Sequence, residues 1–322
     1  MPNLLTIPNE ILDEIVSNLD AVATYYLLLS CRSLATLVKP AMLLHAVAPK
    51  GNEPALHWAS RKGNLPLIEY LLTRFPVDLE KDDRGTPLQA ASWSCTNTNT
   101  VEYLLLRGAA VNHTNCFGLT ALYYACRGQM ANEDIAEPLV RLLIAHGANV
   151  HGETHAPLSI AVGSGFTRVV RLLLDAGASP DAKIINGEPV VVTAARKART
   201  VGILELLLDH GADTDAVNSN GRNVLLIASQ YGPLETVKML VARGVNLDCQ
   251  DNDGNTPLIL AIMKGQRQIA EYLVDLDGID VHSGNLAGEK PLYRAVLMGY
   301  GLVLRSLRAR GVPIHDHSEI SD

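Results

Sequence analysis

Between residues 54 and 313 the apolar residues of the chain come in short bursts of helical spacing, each opened by a capping signal and most closed by a glycine. The stretch DGNTPLILAIMKG, Asp253 to Gly265, shows the unit. Thr256 stands directly before an apolar run, where its hydroxyl can accept a backbone N–H that the first helical turn leaves unpaired. Pro257 follows at the first helical position, where a fixed helical φ is useful and a missing N–H costs nothing. The same signal returns along the chain at Leu56, Leu88, Leu122, Leu158, Val190, Leu225, Leu258 and Leu292, at intervals of 32, 34, 36, 32, 35, 33 and 34 residues. A second marker runs in phase with it. LLLRGAAVN, LLIAHGANV, LLLDAGASP, LLLDHGADT and LVARGVNLD each join an apolar helix end to a glycine able to close a helix in the left-handed conformation.

These units resemble ankyrin repeats, whose period is about 33 residues and whose signature is a TPLH-type helix start. The resemblance covers Pro54 to Pro313 in eight units. It implies an all-α solenoid of two antiparallel helices per repeat, each pair joined to the next by a finger-like hairpin. No single repeat can bury its own apolar face, so the stack is the core. The third unit is lengthened by residues 127–138, Glu188 and Val190 depart from the signature in the fifth, and Phe75 takes the place of the closing glycine in the first. The expected organisation is residues 1–48 as a separate helical unit, residues 49–314 as the array and residues 315–322 as a polar tail.

The first 48 residues do not follow the repeat. LLTIPNEILDEIVSNLD places Pro8 at a helix start, with Ile11, Leu12, Ile15, Val16 and Leu19 on one face and Glu10, Asp13, Glu14 and Ser17 on the other. The next predicted helix, YYLLLSCRSLATLV, is apolar over most of its circumference. So small a unit cannot bury that much leucine internally, and some of it must face the repeats or another protein. This segment resembles the F-box, a helical motif that opens with a Leu-Pro pair and contains a Val-Cys-Arg-like run. Ile7 and Pro8 match the opening pair, Ile11 and Ile15 the isoleucines after it, Leu19 the end of the first helix, and Leu27, Leu29, Cys31 and Arg32 the second helix. Ser30 and Leu34 stand where the motif usually has valine and an aromatic residue. The junction that follows is similar to that of fungal proteins which place an F-box before ankyrin repeats. The resemblance implies docking to a Skp-type adaptor of a cullin-RING ubiquitin ligase through Ile7, Pro8, Ile11, Ile15, Leu19, Leu27 and Cys31, with the repeats selecting a protein target.

Composition narrows the alternatives. Apolar residues make up 48% of the chain and aromatic residues only 5%, as suits helices packed through Leu, Val and Ala. A net charge of −7 with no basic cluster argues against nucleic acid or an acidic membrane surface as the main partner. Five cysteines without a CxxC pair predict a reducing compartment, cytoplasmic or nuclear. No apolar run approaches 18 residues, and MPNLLTIPNE lacks a basic start and a continuous apolar stretch, so neither a membrane span nor a signal peptide is predicted.

Motifs that could carry chemistry are read more simply by the repeat frame. His151 and His155 in HGETH fall across a predicted hairpin tip, where the i, i+4 spacing of a helical zinc site has no meaning. DNDGN resembles part of a calcium loop, but the register puts Cys249 and Leu260 at its end ligands. His315 and His317 sit in the polar tail, and the glycines of Gly163 to Gly165 fall at a predicted turn between helices. No catalytic, cofactor or metal residues are assigned, and the chain is expected not to be an enzyme.

In arrays of this kind the residues just before the turn that ends each first helix, together with the finger tips, line the concave side. Here they are Arg61 and Lys62, Trp93 and Ser94, Arg127, Ala195 and Arg196, Gln230 and Tyr231, and Met263 and Lys264, with Asp83, Phe117, Asn220 and Asn252 at the tips. Aromatic residues and arginine dominate binding hot spots, so Trp93, Phe117, Arg127 and Tyr231 lead, with Arg61, Arg196 and Lys264 beside them. Two functions follow: a substrate receptor of a ubiquitin ligase, or a non-catalytic scaffold or assembly factor whose N-terminal helices only cap the stack, as terminal repeats require.

Overall fold

The computed structural model describes residues 55–313 except 75–76, 81–84, 95–97, 128–131 and 152–155. The predicted adaptor-facing residues Ile7 to Cys31, and the polar tail, lie outside these. The chain forms two compact units, residues 1–149 and 150–322. In the first, the helices are α1 (Ala55–Lys62), α2 (Leu65–Arg74), α3 (Pro87–Ser94), α4 (Thr98–Leu106), α5 (Ala121–Arg127) and α6 (Glu133–Ala145). In the second they are α7 (Pro157–Ser164), α8 (Thr167–Asp175), α9 (Val190–Ala194), α10 (Val201–Asp209), α11 (Val224–Tyr231), α12 (Leu234–Ala242), α13 (Pro257–Met263), α14 (Arg267–Val274), α15 (Pro291–Met298) and α16 (Gly301–Ala309). Among the described residues the only β-type pairing is an isolated bridge between Lys183 and Pro189. In most pairs two or three residues join packed helices, which forces the partners to run antiparallel.

The predicted side-chain caps form the starts of α3, α11 and α13, while α7 and α15 begin on Pro157 and Pro291 without one. Thr256 Oγ1 accepts the Ile259 N–H at 3.3 Å with Pro257 in the first turn, and Asn223 does the same for Leu226 at 3.1 Å where the Thr-Pro pair is missing. At α3 the cap is reciprocal: Thr86 Oγ1 accepts the Gln89 N–H, and Gln89 Oε1 accepts the Thr86 N–H. Gln89 also reaches forward, its Nε2 donating to the carbonyls of His113 and Leu119 in the next finger. The fifth pair is weakened as its sequence suggests, since α9 has five residues and no side-chain cap. The lengthening of the third pair goes partly into α6, which runs thirteen residues from its Asn132 cap. The turn after α7 is smaller than predicted: Gly163 lies inside the helix, and Gly165 alone, at φ 77°, closes it.

Four of the described fingers end in one recurring turn. Asn115, Asn218, Asp251 and Asn285 each accept two backbone N–H groups, from the residues two and four positions on. A glycine three residues on, such as Gly254 at φ 75°, takes the left-handed conformation that a side chain would strain. At the finger bases a side chain of one repeat accepts a backbone N–H of the next: Glu80 from Ala110, Asn112 from Asn149, Asp181 from Asp213, and Asp248 from Asp280, at 2.7–2.9 Å.

The apolar markers fill the space between pairs. Leu122, Val140 and Leu143 in the first unit, and Leu158, Leu173, Leu225, Leu258 and Leu273 in the second, are fully buried. Leu258→Ala is therefore expected to cost about 2–5 kcal/mol in urea unfolding, against about 1 kcal/mol for loss of the Thr256 cap in Thr256→Ala. Equal losses would show that Leu258 is not the packing residue the stack requires.

Candidate partner-binding surface

In the first unit the ends of the first helices bring predicted residues together. Trp93 at the end of α3 meets Tyr124 of α5 edge to face, ring centres 5.6 Å apart, and the Arg127 guanidinium lies 5.6 Å from the Trp93 ring centre. Tyr124 is held in turn by Asn115, whose Nδ2 donates to its hydroxyl at 2.9 Å. Asn115 also shapes the finger turn that presents Phe117, whose side chain is 69% exposed. One buried amide thus fixes both the ring against Trp93 and the turn that carries Phe117. Arg61 is half-buried and Lys62 exposed at the end of α1.

The second unit builds its own surface. Arg196, just past α9, places its guanidinium 5.7 Å from the ring centre of Tyr231 at the end of α11, and Tyr231 stays 46% exposed. Glu188 fixes that arginine through both carboxylate oxygens, at 2.9 and 3.0 Å, and also accepts the Thr193 hydroxyl. The glutamate that breaks the repeat signature therefore aims Arg196 at Tyr231. Lys264 is exposed and Met263 half-buried at the end of α13.

Three predicted lining residues do not reach this surface. Ser94, Ala195 and Gln230 are buried. Ser94 turns inward to its own helix, its hydroxyl donating to the Ala90 carbonyl, and Ala195 is buried just past the end of a helix too short to hold the regular phase. Gln230 is tied inward because its Oε1 accepts Arg222 Nη1 at 2.9 Å. Asn220 and Asn252 are exposed at their tips, while Asp83 and His155 lie outside the described residues. Tyr124 and Glu188 were missing from the prediction. Tyr124 carried a signal in being aromatic one repeat from Trp93, but no period singles out the pairing of Glu188 with Arg196, to which the ion pair of Glu289 with Arg294 is a parallel among the described residues.

Arg222 links this surface to the finger of the next repeat. Its Nε donates to Asp251 Oδ2 at 2.9 Å, and the Asp251 side chain is wholly buried. Burial pulls the Asp251 carboxyl upward, but hydrogen bonds from the Asn255 backbone and side chain and from Arg222 outweigh it and leave the group below its ordinary value. The Asp251 carboxylate of the DNDGN stretch is therefore engaged by the protein itself. Among the described residues no three His, Cys, Asp or Glu side chains are grouped so as to hold a metal ion, and no helix is long and apolar enough to cross a membrane. Burial, partly offset by a hydrogen bond to Asn223, pushes the Cys249 thiol up to about 11.

Stacked helix pairs with structured fingers and an exposed row of arginine and aromatic residues define a helical-repeat protein built for binding other proteins. The particular family is the ankyrin repeat family, to which the chain belongs: its sequence profile matches residues 26–115, 94–184, 191–285 and 234–316. Curated relatives are similar over part of the array. A mouse ankyrin repeat and MYND domain-containing protein 1 is 43% identical over 72 residues, 22% of this chain and 8% of that protein. A 26S proteasome non-ATPase regulatory subunit 10 from Dictyostelium discoideum is 34% identical over 74 residues, 23% of this chain and 32% of that protein. The chain thus spans well under two thirds of either relative. Among solved structures, the ankyrin repeat domain of human ASB11 is 25% identical with a TM-score of 0.57, over 68% of this chain and 96% of that one. The ankyrin repeat domain of Bcl-3 is 29% identical with a TM-score of 0.55, over 66% and 95%.

Because the folded state holds Asp251 ionised, its contribution is present above the ordinary aspartate range near pH 4 and is lost as pH falls through the lower folded value. Urea unfolding followed from pH 7 down to about pH 3 is expected to show a steeper acid loss in the parent chain than in Asp251→Asn. Arg222→Ala leaves the buried carboxylate without its cation and is expected to cost about 3 kcal/mol at neutral pH. An Arg222→Ala variant as stable as the parent would show that the pair does not hold this end of the stack together.

Proposed function

We propose that this chain is the substrate-recognition subunit of a cullin-RING ubiquitin ligase, catalysing nothing itself. In this reading residues 1–48 dock on a Skp-type adaptor and the repeats hold a protein target along the ends of their first helices. The observation that carries it is one of arrangement: an F-box-like segment, with Ile7-Pro8, Ile11, Ile15, Leu19, Leu27 and Cys31-Arg32 in order, precedes repeats whose family binds proteins. The arginine and aromatic pairs of the repeats, Arg127 with Trp93 and Arg196 with Tyr231, have the residue types that dominate interface hot spots. The role would place the protein in the cytoplasm or nucleus.

A second reading is favoured by one finding. The ankyrin profile begins to match at residue 26, inside the segment that resembles an F-box. In this alternative residues 1–48 cap the first repeat, and the protein is a non-catalytic scaffold or assembly factor. The two readings differ on one double substitution. Charging the proposed adaptor face by Ile7→Asp with Ile11→Lys is expected to abolish binding to a purified Skp-type adaptor, because an unpaired charge in an apolar interface is not tolerated, and to leave the melting temperature of the repeats within about 1 °C. A large fall in melting temperature, with no adaptor binding in the parent chain to lose, would establish the capping role instead.

A further inference from the structure

Charge is sorted by position in the second unit. The whole chain carries −7, yet none of the residues closing the five first helices of this unit is acidic. Five of its acids are already engaged. Asp181 and Asp248 hold finger amides, Asp209 pairs with Arg243, Asp251 with Arg222, and Glu188 with Arg196. Past the end of α9 stand Arg196 and the exposed Lys197, Tyr231 ends α11, and the exposed Lys264 follows α13. Among the described residues neither Lys197 nor Lys264 has an ion-pair partner. Two cationic groups thus flank an exposed tyrosine across three successive repeats, on a chain that is otherwise acidic.

We infer that the segment held by this row is an extended, acidic stretch of a partner protein, with carboxylates at both ends and an apolar or aromatic side chain between them. The inference rests on the repeats being a partner-binding surface, and it adds the chemistry of what they bind. Packed helices lie about 8–10 Å apart, so Lys197 and Lys264, two repeats apart, are separated by about 20 Å. An extended chain rises about 3.3 Å per residue, so about six residues bridge them. A ligand of this kind would place one acid beside Lys197, seat its central side chain on the Tyr231 ring, and place a second acid at Lys264. Charge complementarity of this type acts on encounter rate and selectivity and weakens with salt. A nucleic acid strand would satisfy the cations too, but the net charge of −7 opposes the approach of a polyanion much larger than this row.

The test selects binders to the full chain from a display library of random peptides of about twelve residues, long enough to cross three repeats. Enriched peptides are then measured against the parent, Tyr231→Ala and the double reversal Lys197→Glu with Lys264→Glu, the fold of each being checked by its melting curve. The expected result is enrichment of acidic peptides with a central apolar residue. Their affinity should fall with salt, fall about tenfold in the double reversal, and there give way to a preference for basic peptides. Enriched peptides that are neutral or basic but lose affinity in Tyr231→Ala would overturn the acidic assignment and leave the binding surface in place. The absence of any peptide sensitive to Tyr231 would overturn both. Tighter binding of a single-stranded oligonucleotide than of the peptides, lost in the same reversal, would replace the peptide with a nucleic acid.

Discussion

Everything in these units depends on the inability of one helix pair to bury its own apolar face. A helix of seven or eight residues, such as α13 or α11, has only two turns, and most of its residues are apolar and need cover. Alone it would leave Leu258 or Leu225 in water, and both are fully buried only because another pair lies against them. Burial of a leucine is worth about 2 kcal/mol, so stacking is the step that makes each pair stable. Local signals such as the Thr256 cap contribute less, about 1 kcal/mol, and their task is to set where each helix begins so that the apolar side points at its neighbour.

Stacking by apolar contact alone would not fix register, because leucine and valine surfaces slide at small cost. The fingers supply the directional part. An Asp181 or Asp248 carboxylate that accepts the backbone N–H of the next repeat does so at one relative position only. The same logic extends inward through a chain of polar side chains: Arg222 on Asp251, Asp251 on Asn255, and Asn255 on Asn285 of the next finger. Each of these groups is at least half-buried, so leaving any of them unpaired costs more than the pairing gains, and the network is strict about geometry. Because Arg222 also holds Gln230, this strictness reaches the residue beside Tyr231. The position of an exposed binding residue is thus set from inside the stack.

The same division explains what could be read from the sequence. The period and the caps depend on residue type at fixed spacing, and Thr86, Asn223 and Thr256 all perform the role their spacing implies. The surface was legible only as positions, because spacing says where a residue sits on a helix and not which neighbour claims its side chain. Trp93 with Arg127 and Arg196 with Tyr231 fall together because adjacent repeats place equivalent positions side by side. Gln230 and Ala195 turn inward for reasons that no period contains, one being claimed by Arg222 and the other sitting at the end of the five-residue α9. Glu188 is the clearest case. As a departure from the signature it reads as a defect, and it is one for helix capping, yet its carboxylate is what orients Arg196.

That exchange of a cap for an ion pair shows how a repeat array separates its two tasks. A helix start can lose its cap, as α9 does, because neighbouring pairs supply most of the stability and a single cap is worth about 1 kcal/mol. The side chain released from capping can then serve the exposed row. In the second unit Asp181 and Asp248 bind backbone amides and Asp209 and Asp251 neutralise cations of the stack, whereas Lys197 and Lys264 at the row have no ion-pair partner among the described residues. Residues of the row can therefore change without disturbing the register of the fingers, and residues of the fingers cannot change so freely. Selectivity for a partner is accordingly confined to the few positions at which the stack makes no demand.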